Sequence, residues 1–265
     1  MRYRRLGRTE LVVSEVGLTA RALEGLSPEV AGATLQAAIA AGVTLIAIDA
    51  RDSATDLEPM IAEVAGIERP RLTIVAVLDH LPAAEDLAPE VAAIAGRFGD
   101  RGYLDIVAFP HAPEAAHLAA IEDLRSRGLV RHTGIATSDA DLACAAIEAG
   151  AVDVLVAPLN MPRRHLVRPA LVTAAANDIG VVLAGRVASG GTLADERIAA
   201  ALAEVSRGHG VSVPRALVAW GLGEPGVGSV AAGAASPAEA ADLADASSAA
   251  PLPERWVEAL RVAVG

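Results

Sequence analysis

The feature that most constrains this chain is an alternation repeated eight times. Short apolar runs rich in β-branched residues alternate with alanine-rich stretches of helical spacing. The runs are Val16–Leu18, Leu45–Ile48, Thr73–Val77, Asp105–Phe109, His132–Ala136, Val154–Ala157, Val181–Ala184 and Ser229–Ala231. Strands this short and apolar throughout suit a parallel sheet covered on both faces. Between them the spacing predicts helices over Pro28–Ala41, Leu57–Val64, Ala83–Phe98, Pro113–Arg127, Asp139–Ala149, Arg168–Asp178, Asp195–Gly208 and Val213–Leu222. Two more, Ser236–Asp245 and Pro253–Val262, follow the last run, and a hairpin, Tyr3–Arg5 with Leu11–Val13, precedes the first. Ser27-Pro28, Asp139 and Ser236-Pro237 mark helix starts, while Gly42, Gly128, Gly150 and Gly180 mark helix ends. Eight β/α units predict a single (β/α)8 barrel domain over residues 1–265, ahead of an open doubly wound sheet.

The longest uncharged run, Val30 to Ile48, approaches the length of a membrane span. Gly32, Thr34, Gln36, Gly42 and Thr44 interrupt it, and its periodicity changes near Gly42, so it reads as a helix followed by a strand. The basic N-terminus (Arg2, Arg4, Arg5, Arg8) leads into Thr9 and Glu10 rather than an apolar signal core. The expectation is a soluble cytoplasmic protein with no membrane partner.

Charge composition narrows the chemistry. The net charge is −11, all 22 basic residues are arginine, and there is no lysine. Schiff-base chemistry and P-loop phosphate binding are therefore excluded. A single cysteine, Cys144, excludes an internal disulfide and reads as helix core. An acidic chain with six aromatic residues is a poor nucleic-acid binder. Gly221-Leu222-Gly223-Glu224-Pro225-Gly226 matches a dinucleotide fingerprint as text, but it follows a helix and precedes a strand, so it reads as a turn. His132 and His209 have no evident partner and read as structural.

Several segments together carry a family resemblance. Tyr3-Arg4-Arg5-Leu6-Gly7-Arg8-Thr9 and Leu11 to Leu18 resemble the N-terminal hairpin and first barrel strand of the aldo-keto reductases. Gly42-Val43-Thr44-Leu45-Ile46, Tyr103-Leu104-Asp105-Ile106, Gly128-Leu129-Val130-Arg131, Pro158-Leu159-Asn160 and Ala188-Ser189-Gly190-Gly191 resemble later segments of that barrel. The resemblance implies the fold and, for the family, reduction of carbonyls with NADPH by a tyrosine assisted by lysine, aspartate and histidine. Here the aspartate position falls on Ala47, the tyrosine on Asp52, the lysine on Leu78 and the histidine on Pro110, with His111 next to it. The pair that holds the carboxamide falls on Ala136 and Thr137, its glutamine partner on Val156, and the arginine that reads the 2′-phosphate on Ala235. Arg186 and Arg215 are the substitute candidates for a phosphate clamp. No cofactor is favoured, and NADPH is doubtful.

Barrel sites are built at the C-terminal strand ends. These ends supply acid–base candidates Asp49, Asp52, His80 and His111, and ligand-binding candidates Arg21, Arg51, Asn160 and Arg186. Carboxylates and histidines there suit proton transfer, with arginines holding an anionic small molecule. The competing reading is a set of solvated loop residues, with Asp49, Arg51 and Asp52 a surface ion cluster. No metal is expected, because Asp79, His80 and His111 lack a ligand spacing signature. The reading is a repurposed lyase, isomerase or cyclase. The alternatives are a non-catalytic binding or regulatory subunit with a protein partner, and a divergent NADP-dependent oxidoreductase.

Overall fold

A computed structural model of the chain describes residues 1–50, 57–99, 102–161, 164–185, 196–248 and 253–264. A two-stranded antiparallel hairpin, β1 (Tyr3–Arg5) and β2 (Val12–Ser14), comes first. The barrel strands are β3 (Val16–Thr19), β4 (Leu45–Ala50), β5 (Thr73–Leu78), β6 (Leu104–Phe109), β7 (Val130–Ala136), β8 (Val154–Pro158), β9 (Gly180–Gly185) and β10 (Val227–Ala232). They are parallel and close in the order β10-β3-β4-β5-β6-β7-β8-β9. Each of the eight runs read from the sequence is one of these strands.

The helices are α1 (Pro28–Ala40), α2 (Leu57–Ala65), α3 (Ala84–Gly96), α4 (Ala115–Ser126), α5 (Ala140–Glu148), α6 (Arg164–Ala176), α7 (Glu196–His209), α8 (Val213–Leu222), α9 (Pro237–Ser248) and α10 (Glu254–Val264). Ser27 caps α1 ahead of Pro28, and the Asp139 side chain accepts from the amides of Asp141 and Leu142 at 2.9 and 3.1 Å. The uncharged run Val30–Ile48 is divided between α1 and β4. Among the described residues no helix is long and apolar enough to cross a membrane.

Two expectations are corrected. Helix α6 begins at Arg164, four residues before the expected start, and tolerates Pro169 within it. Gly180 does not end that helix. Asp178 takes the left-handed conformation there (φ 53), and Gly180 is instead the first residue of β9. Leu6 of the hairpin turn is the reason for that glycine: a Cβ on Gly180 would sit 2.7 Å from Leu6 Cγ, and one on Gly228 3.0 Å from Leu6 Cδ1.

Strand alternation divides the core in two. Outward residues such as Ile46, Ile74, Leu78, Phe109 and Leu155 pack against the helices. Inward residues Leu45, Ala47, Val75, Ile106, Ala108, Val154, Val156, Val182 and Ala231 fill the barrel, and Leu6, Leu11 and Val13 of the hairpin plug its base.

Arginine holds that base. Glu15, 3% exposed, is bonded by Arg2 Nε at 2.8 Å, Arg4 Nε at 2.7 Å and the Ser247 hydroxyl at 2.9 Å. Asp105, 1% exposed, accepts from Arg69 and Arg131 at 3.2 Å each and from the Ile74 amide at 2.9 Å. Asp153 accepts from Arg125 at 3.0 Å, Arg8 at 3.3 Å and the Thr133 amide at 3.3 Å, with His132 Nδ1 3.8 Å away. His132 thus has a partner that its sequence context did not reveal.

Candidate functional site

The C-terminal strand ends open the barrel at the other side. Continuing the inward register upward reaches Thr19 on β3, Asp49 on β4, Val77 on β5, Ala136 on β7 and Ala184 on β9. Val77, Ala136 and Ala184 are partly exposed and rest on the interior cluster, so they form the floor of the mouth. Ala47, Ala108 and Val156 lie immediately beneath. At the mouth end of the described strands, Asp49 is the one charged side chain on an inward position. Ser229 is deeper and fully buried, its hydroxyl without a partner among the described residues, and it does not reach the mouth.

The structure refines the position of the missing lysine. Leu78 faces the helical layer and is 1% exposed, whereas Val77 faces the barrel. Both are apolar, so no ammonium stands there under either reading. The chain's two tyrosines are both at the base. The Tyr3 hydroxyl donates to the Gly42 carbonyl at 3.1 Å, and the Arg69 guanidinium stacks 3.9 Å above the Tyr103 ring.

Arg21 and Asp49 are brought together. The turn after β3 (residues 20–22) places Arg21 at the rim, where Nη1 donates to Asp49 Oδ2 at 3.0 Å. Arg21 remains 43% exposed and Asp49 25%. Thr19, on the same strand end, is buried, and its hydroxyl makes no hydrogen bond among the described residues. His111, just past β6, is exposed and unpaired among the described residues. Asn160, just past β8, has a buried Oδ1 without a partner among them.

His80 is not brought to this set. Its Nδ1 lies 3.0 Å from Asp79 Oδ1, and its Nε2 lies 3.3 Å from Glu90 Oε2 on α3. The ring therefore faces the helical layer at the protein surface. The hydrogen bond to Asp79, reinforced by the Glu90 charge and outweighing the effect of burial, raises its pKa above the ordinary imidazole value. Asp52, Arg51 and Arg186 lie outside the described residues. Among the described residues no group of three or more His, Cys, Asp or Glu is placed to hold a metal ion.

The positions that would hold a dinucleotide have other tasks. Ala136 and Val156 offer methyl groups. The Thr137 hydroxyl accepts from the Asp139 amide at 3.1 Å, supporting the start of α5. At the start of α9, the Ala235 amide donates to Glu239 Oε2 at 2.9 Å, and the Glu239 amide donates to Ser236 Oγ at 3.2 Å. This reciprocal cap puts a carboxylate beside the position expected to read a phosphate. Arg215 is engaged by α9, with Nη1 3.6 Å from Asp242 Oδ1. In the Gly221–Gly226 segment, Gly221 and Leu222 close α8 and Gly223–Gly226 form the turn before β10, with Gly226 at φ 71, so the turn reading holds for its second part. Cys144 is half-buried between α5 and α6, its thiol 3.3 Å from Thr173 Oγ1.

The sequence places Thr19 at the first strand end beside Arg21, but the inward direction of its side chain and the small apolar lining were missed. Both were recoverable by counting in twos along each strand from a residue known to face inward. Glu239 was also missed, although Ser236 followed three residues later by a glutamate is a capping pattern.

Residues 16–263 match the model of the aldo/keto reductase family. No curated protein matches the chain. Among solved structures, the thermostable aldo-keto reductase Tm1743, in complex with the inhibitor epalrestat, is similar over 100% of both chains, with 22% identity and a TM-score of 0.84. The holo form of the aldo-keto reductase AKR11C1 from Bacillus halodurans is similar over 99% of this chain and 96% of its own, with 15% identity and a TM-score of 0.76.

Proposed function

The chain belongs to the aldo/keto reductase family, and from that premise we propose that it acts on a small molecule at the barrel mouth by proton transfer, without NADPH-dependent carbonyl reduction. One observation carries this reading. Among the described residues the inward positions at the mouth hold Asp49 and Thr19 among methyl groups, while both tyrosines are at the base and the chain has no lysine. A general acid has to reach within about 3 Å of the reacting oxygen. Arginine is no substitute for the lysine as a proton donor, since its pKa stays above about 12.

NADPH does not fit the described residues. A carboxamide would meet the side chains of Ala136 and Val156, and a 2′-phosphate would meet Glu239, which already occupies the Ala235 amide.

In this reading Asp49 holds and moves the proton, and Arg21 fixes its carboxylate. His111 and, from the sequence, Asp52 are the candidate second acid–base groups. Asn160 accepts a hydrogen bond from the bound molecule, and Arg51 and Arg186 are candidate contacts for an anionic group. A relative of the same fold holds the small inhibitor epalrestat, which supports a small-molecule ligand. A second reading, a non-catalytic binding or regulatory subunit working with a protein partner, is favoured by the Arg21–Asp49 ion pair, which engages the carboxylate before any ligand arrives.

Calorimetric titration with NADPH is expected to give no saturable heat, and a panel of aldehydes and ketones no NADPH oxidation. Saturable binding coupled to carbonyl reduction would overturn the proposal. Incubating the protein with small hydroxy and oxo acids in deuterium oxide is expected to give enzyme-dependent exchange. Asp49→Asn should lower it by two or more orders of magnitude, within the general acid–base range of about 10²–10⁴. Exchange that survives in Asp49→Asn removes Asp49 from its role; no exchange from any acid leaves the binding-subunit reading.

A further inference from the structure

The lining of the mouth also fixes which way round a ligand enters. Its floor is made of Val77, Ala136 and Ala184 over Ala47, Ala108 and Val156. A carbonyl or hydroxyl placed against that floor would lose its water partners and gain none. An alkyl or ring carbon placed there keeps every contact favourable. The polar groups stand higher, at the β3–β4 edge, where Arg21 spends Nη1 on Asp49 and its other guanidinium donors are uncommitted among the described residues. The Thr19 hydroxyl beside it makes no hydrogen bond among those residues either. Asp49 is already engaged, so the rim offers donors to an anion rather than a free carboxylate to a cation.

We propose that the mouth binds a small carboxylate with an apolar tail, tail inward on the alanine–valine floor and carboxylate outward on Arg21 and Thr19. This rests on the reading that the mouth does not take a nicotinamide. Guanidinium suits the head group because its planar donor fork matches two carboxylate oxygens.

The test uses butyrate, hexanoate and octanoate, with octylammonium as the cationic counterpart, titrated calorimetrically into the full chain. Affinity is expected to rise about fourfold per buried methylene until the pit is full and then level off. Octylammonium should bind at least tenfold more weakly than octanoate. Arg21→Gln, an exposed change at the rim, should weaken all three carboxylates about tenfold or more while keeping the dependence on chain length. Ala184→Val should keep the head-group preference but make the rise end at a shorter chain. Ala136→Phe should abolish binding, its fold checked by circular dichroism; if it does not fold, Ala184→Val carries the same information.

The proposal is overturned if affinity is flat with chain length, if octylammonium binds as well as octanoate, if Arg21→Gln binds like the wild type, or if the plateau does not move in Ala184→Val. Failure of the underlying reading looks different. In that case NADPH itself binds and displaces octanoate, whereas if only this inference fails neither NADPH nor the carboxylates bind in the predicted pattern.

Discussion

Asp105→Ala is expected to lower the unfolding free energy by about 3–5 kcal/mol, the range for removing one partner of a buried ion pair. Asp105 is the second residue of β6, at the base, and its carboxylate is the shared acceptor for Arg69, Arg131 and the Ile74 amide. Arg69 is only 14% exposed and also donates to the carbonyls of Leu72 and Tyr103 at 3.0 and 2.6 Å. Held there by those bonds and by the Tyr103 ring, its guanidinium cannot swing out to water once the carboxylate is gone. The Ile74 amide is left buried without an acceptor as well. Asp123→Ala is the control, because it removes an i,i+4 pair with Arg127 in which both partners are about half exposed, and it should cost under about 1 kcal/mol. Urea titration of both variants decides the matter. Equal losses in the two would mean that the base cluster contributes no more than a surface pair.

The second large effect is a loss of stability in acid. Burial alone would push the Asp153 carboxyl up, but the nearby His132 ring, the Thr133 amide hydrogen bond and the Arg125 charge outweigh it and hold the pKa at about 2, below the ordinary 3.8. Glu15 is lowered as well: burial opposes ionisation, and bonds from Arg2 and Ser247 with the charge of Arg4 overcome it. A carboxyl whose pKa is depressed on folding stabilises the protein fully above its unfolded pKa, and that contribution is lost as pH falls through the folded value. For Asp153 the window runs from about pH 4 down to about pH 2 and is worth about 2 kcal/mol. Urea midpoints are therefore expected to fall steeply below pH 4. The gap between wild type and Asp153→Asn should narrow by a similar amount across the same window. Parallel curves for the two proteins would remove Asp153 from the account. His80 acts with the opposite sign. Its raised pKa favours the folded state below about pH 6.5, and that small surface contribution fades as pH climbs through the folded value.

The fold was legible because parallel strands buried on both faces leave a local mark. Val154–Ala157 and Thr73–Val77 could be picked out without any knowledge of their neighbours, and several of the helices carried a capping residue or a terminal glycine. What was not legible depended on pairings far apart in sequence. Gly180 looked like a helix end because its real constraint, Leu6, is distant in the chain. His132 looked alone because Asp153 stands just before the next barrel strand, 21 positions on. Among the described candidates, Arg21, Asp49, His111 and Asn160 lie at or just past C-terminal strand ends, and strand ends are visible in the sequence. The direction of a side chain beyond a strand end is not visible, because the two-residue alternation stops there. Asp49 is still within β4 and inherits its inward direction, whereas His80 lies two residues past Leu78 and turns to Glu90 on α3.

The division between an arginine-clamped base and an apolar mouth bears on how freely this chain can be altered. Substitutions beyond roughly 7–10 Å with no shared partners combine additively. Changes to the floor residues Val77, Ala136 and Ala184 should therefore leave the Glu15, Asp105 and Asp153 clamps undisturbed. A library of mouth variants starts from a frame whose tolerance is set at the opposite end, so new ligand preferences can be selected there without first selecting for a sturdier scaffold.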